Sequence, residues 1–180
     1  EKMKGSELYS EKHLGLKPEE CLNVFIFGAG PDIPPLKDLL DWTRWNASFY
    51  THSSDLFEER KSLNWNVTKV DPHNLNVDVT FPERSAVLLM SHNYPSDLET
   101  LRYFLNYSVR YIGVLGPKLK KDQMLKDLNS LYGLEVSKEM LSRIHGPMGI
   151  KGLGRGESAI ALSIISELQS IFFNQEGRRI

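Results

Sequence analysis

The chain has 180 residues, a formal net charge of -1, 41% hydrophobic residues and one cysteine. That length builds one domain around a single core without covalent staples, and the lone Cys21 permits no disulfide framework and no cysteine/histidine cluster of zinc spacing. Near-balanced charge excludes a global field that would gather nucleic acid or coat an anionic membrane, so any anion binding has to be local; no apolar run reaches the roughly 18 residues of a membrane span, and no signal peptide is visible, which points to the cytoplasm.

The opening stretch through Glu20 is polar and charged, and a lead segment over residues 1–21 is expected, as in a piece cut from a longer chain. The apolar run Val24 to Phe27 stops at Gly28-Ala29-Gly30 and reads as a buried parallel strand ending in a tight turn. Pro34 and Pro35 suit the first turn of a helix, where a missing N–H costs little, and Leu36, Leu39 and Leu40 carry that helix to about Trp42. Ala47 to Thr51 and Trp65 to Val70 are the second and third strands.

Ser85 to Met90 is the next strand, followed by Ser91-His92-Asn93 and a helix from Ser96, which Ser96 would cap with Glu99 completing a capping box; Leu98, Leu101 and Leu105 form its inner face. Tyr111 to Leu115 is a strand closed by Gly116-Pro117, and the helix after it, through Met124, Leu125 and Leu128, ends near Gly133. Ser137 caps a short helix leading to Ile144. Residues 146–156 are Gly-rich and irregular; Ile160, Ile164, Leu168 and Ile171 then mark a last amphipathic helix that frays over 174–180. Strands alternating with helices predict an α/β fold: a Rossmann-like three-layer domain over 22–173 with a mostly parallel sheet, in which the loops after Phe27, Met90 and Leu115 converge on one crevice.

Three loops there carry candidate chemistry. Gly28 permits the turn and Gly30 the approach of a phosphate to backbone N–H groups at a helix start. The dinucleotide fingerprint is incomplete: its third glycine position is Ile33, Pro31 has no N–H, and Thr51-His52 stands where an acidic residue would bind the ribose, with Asp55 displaced. The glycines serve either a phosphate or only strand-to-helix packing. Ser91, His92 and Asn93 are expected to point into the crevice, where His92 would donate to a phosphate or carbonyl, act as acid or base, bind a metal, or simply cap the next helix or bridge loops. Gly116 and Lys118 follow a strand end; Lys118 would attract a phosphorylated ligand, whereas Lys120 and Lys121 fit that role or a solvated helix face equally well. Arg155, among glycines, has the fork to clamp a phosphate or carboxylate, and Glu157 suits a helix start.

Taken together, the loops resemble one family. Phe27-Gly28-Ala29-Gly30-Pro31-Asp32 resembles the GAGPD turn of the xanthine dehydrogenase accessory (XdhC/CoxI) C-terminal Rossmann domain. Leu89-Met90-Ser91-His92-Asn93-Tyr94 with Asp97-Leu98 is similar to its serine/threonine-histidine segment, Tyr111 to Pro117 to its YIGxLG segment, and Arg143 to Ile150 with the helix near Glu157 to its RxHxPxG region and terminal helix. The match runs in order from about residue 22 to 173. The resemblance implies an accessory or chaperone role in maturing molybdenum-cofactor enzymes rather than catalysis of its own. It implies the molybdenum cofactor (molybdopterin) as ligand, for which the candidate residues are Gly28, Ala29, Gly30, Pro31, Asp32, Ser91, His92, Asn93 and Gly116 within those motifs, with Lys118 and Arg155 added for their charge at the crevice. As partners it implies a molybdenum hydroxylase such as xanthine dehydrogenase, a cysteine desulfurase, and further copies of the chain. An NAD(P)-dependent oxidoreductase and a pure interaction module with a vestigial crevice are the alternatives.

Overall fold

The computed structural model describes residues 21–173. All but Cys21 of the expected lead segment, and the expected tail 174–180, lie outside the described residues. Six strands, β1 (Asn23–Phe27), β2 (Asn46–Thr51), β3 (Val67–Lys69), β4 (Ser85–Leu89), β5 (Tyr111–Val114) and β6 (Ile144–His145), form one sheet in the order β3-β2-β1-β4-β5-β6. Every pairing is parallel, so the sheet is wholly rather than mostly parallel. This is the strand order of dinucleotide-binding Rossmann domains, whose direction reverses between β1 and β4.

Parallel strands need crossovers, and the side chains of β1 and β4 show how both faces are covered. Val24, Ile26, Ala86 and Leu88 pack with Ile33, Leu36 and Leu40 of α1 (Ile33–Thr43) and with Ala161, Ile164 and Leu168 of α6 (Glu157–Phe173). Phe25, Phe27, Val87 and Leu89 face the other way, onto Leu98, Leu101 and Phe104 of α3 (Tyr94–Phe104) and Met124 and Leu128 of α4 (Lys118–Tyr132). All five residues of β4 are buried, as befits a central strand covered on both sides. The crossover from β3 to β4 holds only short 3-10 turns at Pro72–Asn74 and Pro82–Arg84, and Val77 fills the second core from it.

Two local expectations change. α3 begins at Tyr94, not after Ser96, because Asn93 is the cap: its Oδ1 accepts the Ser96 N–H at 3.0 Å, and Pro95 occupies the first turn, where it loses no helical bond. Glu99 closes no capping box; it is buried and bonded to Arg102 and Tyr132. A helix that the apolar pattern does not announce, α2 (Ser54–Ser62), joins β2 to β3, capped by Ser53. The short α5 (Lys138–Ser142) starts at Ser137 as its cap position requires, and Gly133 ends α4 in a left-handed turn.

Candidate functional site

The strand ladder runs past its formal ends. Met90 N–H donates to the Phe27 carbonyl at 2.8 Å, Leu115 N–H to Leu89 at 3.1 Å and Gly28 N–H to Tyr50 at 2.9 Å. These bonds draw together the loops that follow β1, β4 and β5, as expected of a switch point. A Cβ added at Gly28 would lie 2.7 Å from the Met90 carbonyl carbon and closer still to its oxygen. Glycine is therefore required there by the approach of two backbones.

The turn's carbonyls are held from behind. Arg60 of α2 is buried; its Nε donates to the Ala29 carbonyl at 3.1 Å and Nη2 reaches that of Gly30 at 3.5 Å, while the guanidinium lies 4.9 Å from the Trp65 ring centroid. Sequence reasoning missed Arg60, and the only signal would have been an arginine in a polar helix facing the glycine turn.

Asp32 occupies the cap position of α1 but makes no capping bond. Its Oδ2 lies 3.0 Å from His92 Nε2, and its buried Oδ1 has no hydrogen-bond partner among the described residues. The first turn of α1 offers few donors to an anion: Pro31, Pro34 and Pro35 have no N–H, and that of Ile33 is spent on the Gly30 carbonyl at 3.2 Å. Beside this turn stands the Asp32 carboxylate, buried against His92.

His92 sits in left-handed backbone at φ 56°, a conformation that residues with a Cβ adopt at a cost and that surrounding structure has to hold. The bracing is visible on both sides. Ser91 Oγ donates to Asp97 Oδ1 at 2.6 Å, the Ser91 N–H to the same oxygen at 3.2 Å, and the Asn93 N–H to Ser91 Oγ at 3.1 Å. Asp97 is fully buried, and Lys120 Nζ closes on its Oδ2 at 2.7 Å and on the Leu115 carbonyl at 3.0 Å. Lys120 is thus no solvated face residue: it binds the loops after β4 and β5 together across the crevice, its stem 3.1 Å from the Cβ position of Gly116.

Lys118 opens α4, exposed, with Asp122 3.7 Å away. Arg155 is exposed within the Gly-rich stretch and makes no hydrogen bond or ion pair among the described residues. At the end of β2, Thr51 is buried and its hydroxyl accepts the Ser53 N–H at 3.1 Å, so nothing acidic faces a ribose from that strand. His52 and His73 are exposed, and among the described residues no cluster of three His, Cys, Asp or Glu side chains is placed to hold a metal ion.

A second polar cluster lies under α6. Glu167 Oε2 accepts the Tyr111 hydroxyl at 2.5 Å and the Gly149 N–H at 2.6 Å, and the His145 ring stacks on Tyr111 with centroids 4.4 Å apart. Burial first, then the neighbouring Glu167 carboxylate, pushes the Tyr111 phenol up, so it stays a donor; burial lowers the pKa of His145 below its ordinary value. This cluster anchors the start of the Gly-rich stretch. A separate pocket of about 340 Å³, lined by Asn23, Tyr50, Asp78, Thr80 and Ser85 among others, opens by the first residues of β1 and β4, away from the crevice.

Residues 24–168 match the family described as the XdhC Rossmann domain. The chain is 27% identical over 152 residues to a protein of Bacillus subtilis (strain 168) named as a probable subunit of xanthine dehydrogenase, covering 81% of this chain and 41% of that protein. It is 25% identical over 163 residues to the molybdenum cofactor insertion chaperone PaoD of Escherichia coli (strain K12), covering 91% of this chain and 43% of the chaperone. The chain thus spans less than half the length of these relatives. Among solved structures, a xanthine dehydrogenase from Bacillus halodurans superposes with a TM-score of 0.71 at 23% identity, over 88% of this chain and 45% of that one, a likeness of fold. No helix among the described residues is long and apolar enough to cross a membrane.

Proposed function

The chain belongs to the XdhC Rossmann-domain family, and we propose on that footing that it is a non-catalytic accessory domain that holds the molybdenum cofactor as cargo in the crevice between β1 and β4 for delivery to a xanthine dehydrogenase-type enzyme. The observation that carries this reading is the Asp32–His92 pair, set at the switch point by two loops whose neighbours are all committed to holding them still. A relative named as a molybdenum cofactor insertion chaperone supports the cargo. The donor set fits it: an unpartnered carboxylate oxygen and an imidazole suit a polar heterocycle, and exposed Lys118 and Arg155 suit its phosphate.

An oxidoreductase using NAD(P) is favoured by the strand order and by Gly28-Ala29-Gly30, and disfavoured by Thr51 at the end of β2 and by the prolines Pro31, Pro34 and Pro35 around the α1 first turn. Calorimetric titration of the chain with molybdenum cofactor, NAD and NADP separates the two. The accessory reading expects the cofactor to bind at least tenfold more tightly than either nucleotide; tight NAD(P) binding with steady hydride transfer overturns it.

A further inference from the structure

Asp32 and His92 stand 60 positions apart in sequence and meet only because β1 and β4 are neighbours. Their geometry fixes their roles. A carboxylate only accepts, so across 3.0 Å the proton belongs to His92 Nε2, which donates it to Asp32 Oδ2. With the bridging proton on Nε2, Nδ1 is the ring nitrogen left for a ligand, no group among the described residues donates to it, and 58% of the side chain is open to the crevice mouth while that of Asp32 is 9% exposed. Asp32 Oδ1, buried and unpartnered, has acceptor capacity to spare.

The space beside the pair is kept clear. A Cβ at Gly30 would lie 3.1 Å from Asp32 Oδ1 and 3.6 Å from His92 Cδ2. The strained backbone of His92 is held by Ser91 and Asn93, so the ring has been aimed rather than left to sample. Around it stands the Asp32 carboxylate, and Pro31, Pro34 and Pro35 withhold N–H groups. A carboxylate beside the ring favours a ligand's hydrogen-bond donors over its phosphate.

Resting on the cargo reading above, we infer that the pair recognises the donor edge of the ligand, the ring N–H and amino group of an aminopyrimidinone such as a pterin, and not its phosphate. His92 Nδ1 accepts from that edge. Asp32 is the positioning residue: it fixes the Nε2–H tautomer and adds the charge that makes the ring a better acceptor.

Titrating the 180-residue chain with neopterin, a phosphate-free pterin, and separately with pyrophosphate tests this, using wild type, Asp32→Asn and His92→Asn; asparagine tolerates the left-handed backbone, so the second variant keeps the fold. Both variants are expected to bind neopterin about tenfold more weakly, the worth of one good hydrogen bond, with pyrophosphate affinity and unfolding midpoint unchanged. Nitrogen NMR of the imidazole is expected to show His92 as the Nε2–H tautomer in wild type, mixed in Asp32→Asn, with the Nδ1 resonance shifting when neopterin binds. Neopterin that fails to bind wild type, or binds the variants equally well, overturns the inference, as does parallel loss of pyrophosphate binding. Molybdenum cofactor held equally by wild type and both variants overturns this inference and leaves the cargo reading standing; a wild type that binds NAD or NADP but no pterin overturns both.

Discussion

Two glycine-rich segments of this chain look alike in composition and differ in burial and in what surrounds them. Around Gly28, Ala29 and Gly30 the backbone is buried, its carbonyls are held by Arg60, and a side chain at Gly28 would collide with the Met90 backbone. From Ile150 to Arg155 the residues are exposed except for the anchor behind them, and a Cβ at Gly152 or Gly156 would meet nothing within 4 Å. The first set of glycines makes close approach possible; the second leaves the chain slack. What a glycine is for is decided by its backbone angle and by what a side chain there would touch, and a count of glycines carries neither.

The largest expected effect is on the rigid side. Asp97→Ala removes a fully buried carboxylate from Lys120 and Ser91 and leaves an amine, largely covered, without its charge partner, so a loss of about 3 kcal/mol in denaturant unfolding is expected. A loss under about 1 kcal/mol would mean that the crevice is not braced as described. Next, Gly28→Ala forces two central strands apart and should cost at the upper end of about 1–3 kcal/mol. Its counterpart Gly152→Ala bears only a left-handed backbone at φ 87° and should cost about 1 kcal/mol. Equal costs for the two glycines would erase the distinction between the segments.

On the slack side the expected change is in binding. Lys118→Ala and Arg155→Ala should each weaken molybdenum cofactor binding by about 1–3 kcal/mol by titration, with unfolding midpoints moved by no more than about 0.5 kcal/mol, as for exposed positions. Unchanged affinity in both removes them from the site, and a fall in stability assigns them a structural role.

The smallest effect sharpens the boundary between the segments, where His145 and Glu167 hold the chain before it becomes exposed. Burial lowers the pKa of His145 below its ordinary 6.5, so on acidification the unfolded chain takes up the proton first. Stability should therefore begin to fall as pH drops through about 6.5 and stop falling on this account once pH passes below the folded-state value. Unfolding midpoints followed from mildly alkaline to mildly acidic pH should show this step in wild type and lose it in His145→Asn.

The strands are legible in the sequence because each is a run of apolar residues stopped by glycine or a polar loop, and burial on both faces leaves no other way to read Val24 to Phe27 or Ser85 to Met90. Hidden from that pattern is α2, which is polar nearly all round and buries only Arg60. The start of α3 is ambiguous because Asn93 and Ser96 are both good capping types, and a residue in between, Pro95, decides for the first. His92 is legible as a polar group just after a strand, and Asp32 only through the GAGPD resemblance. Their pairing is not, since it is created by strand order across 60 residues, and Lys120 is indistinguishable from its neighbours until the helix phase turns it toward Asp97. The alkyl and aromatic pattern reports burial; partnership among polar groups is written in topology.

The strand order also decides how another protein can meet this one. Both outermost strands are stubs, three residues at Val67–Lys69 and two at Ile144–His145. A sheet border that short offers hardly any free main-chain groups for a visiting strand to extend, which guards against edge-to-edge clumping and closes the route of strand addition. Under the proposed function, a partner that meets the described residues would grip side chains on the helices and on the loops at the crevice rim, and the contact would be as specific as those side chains are.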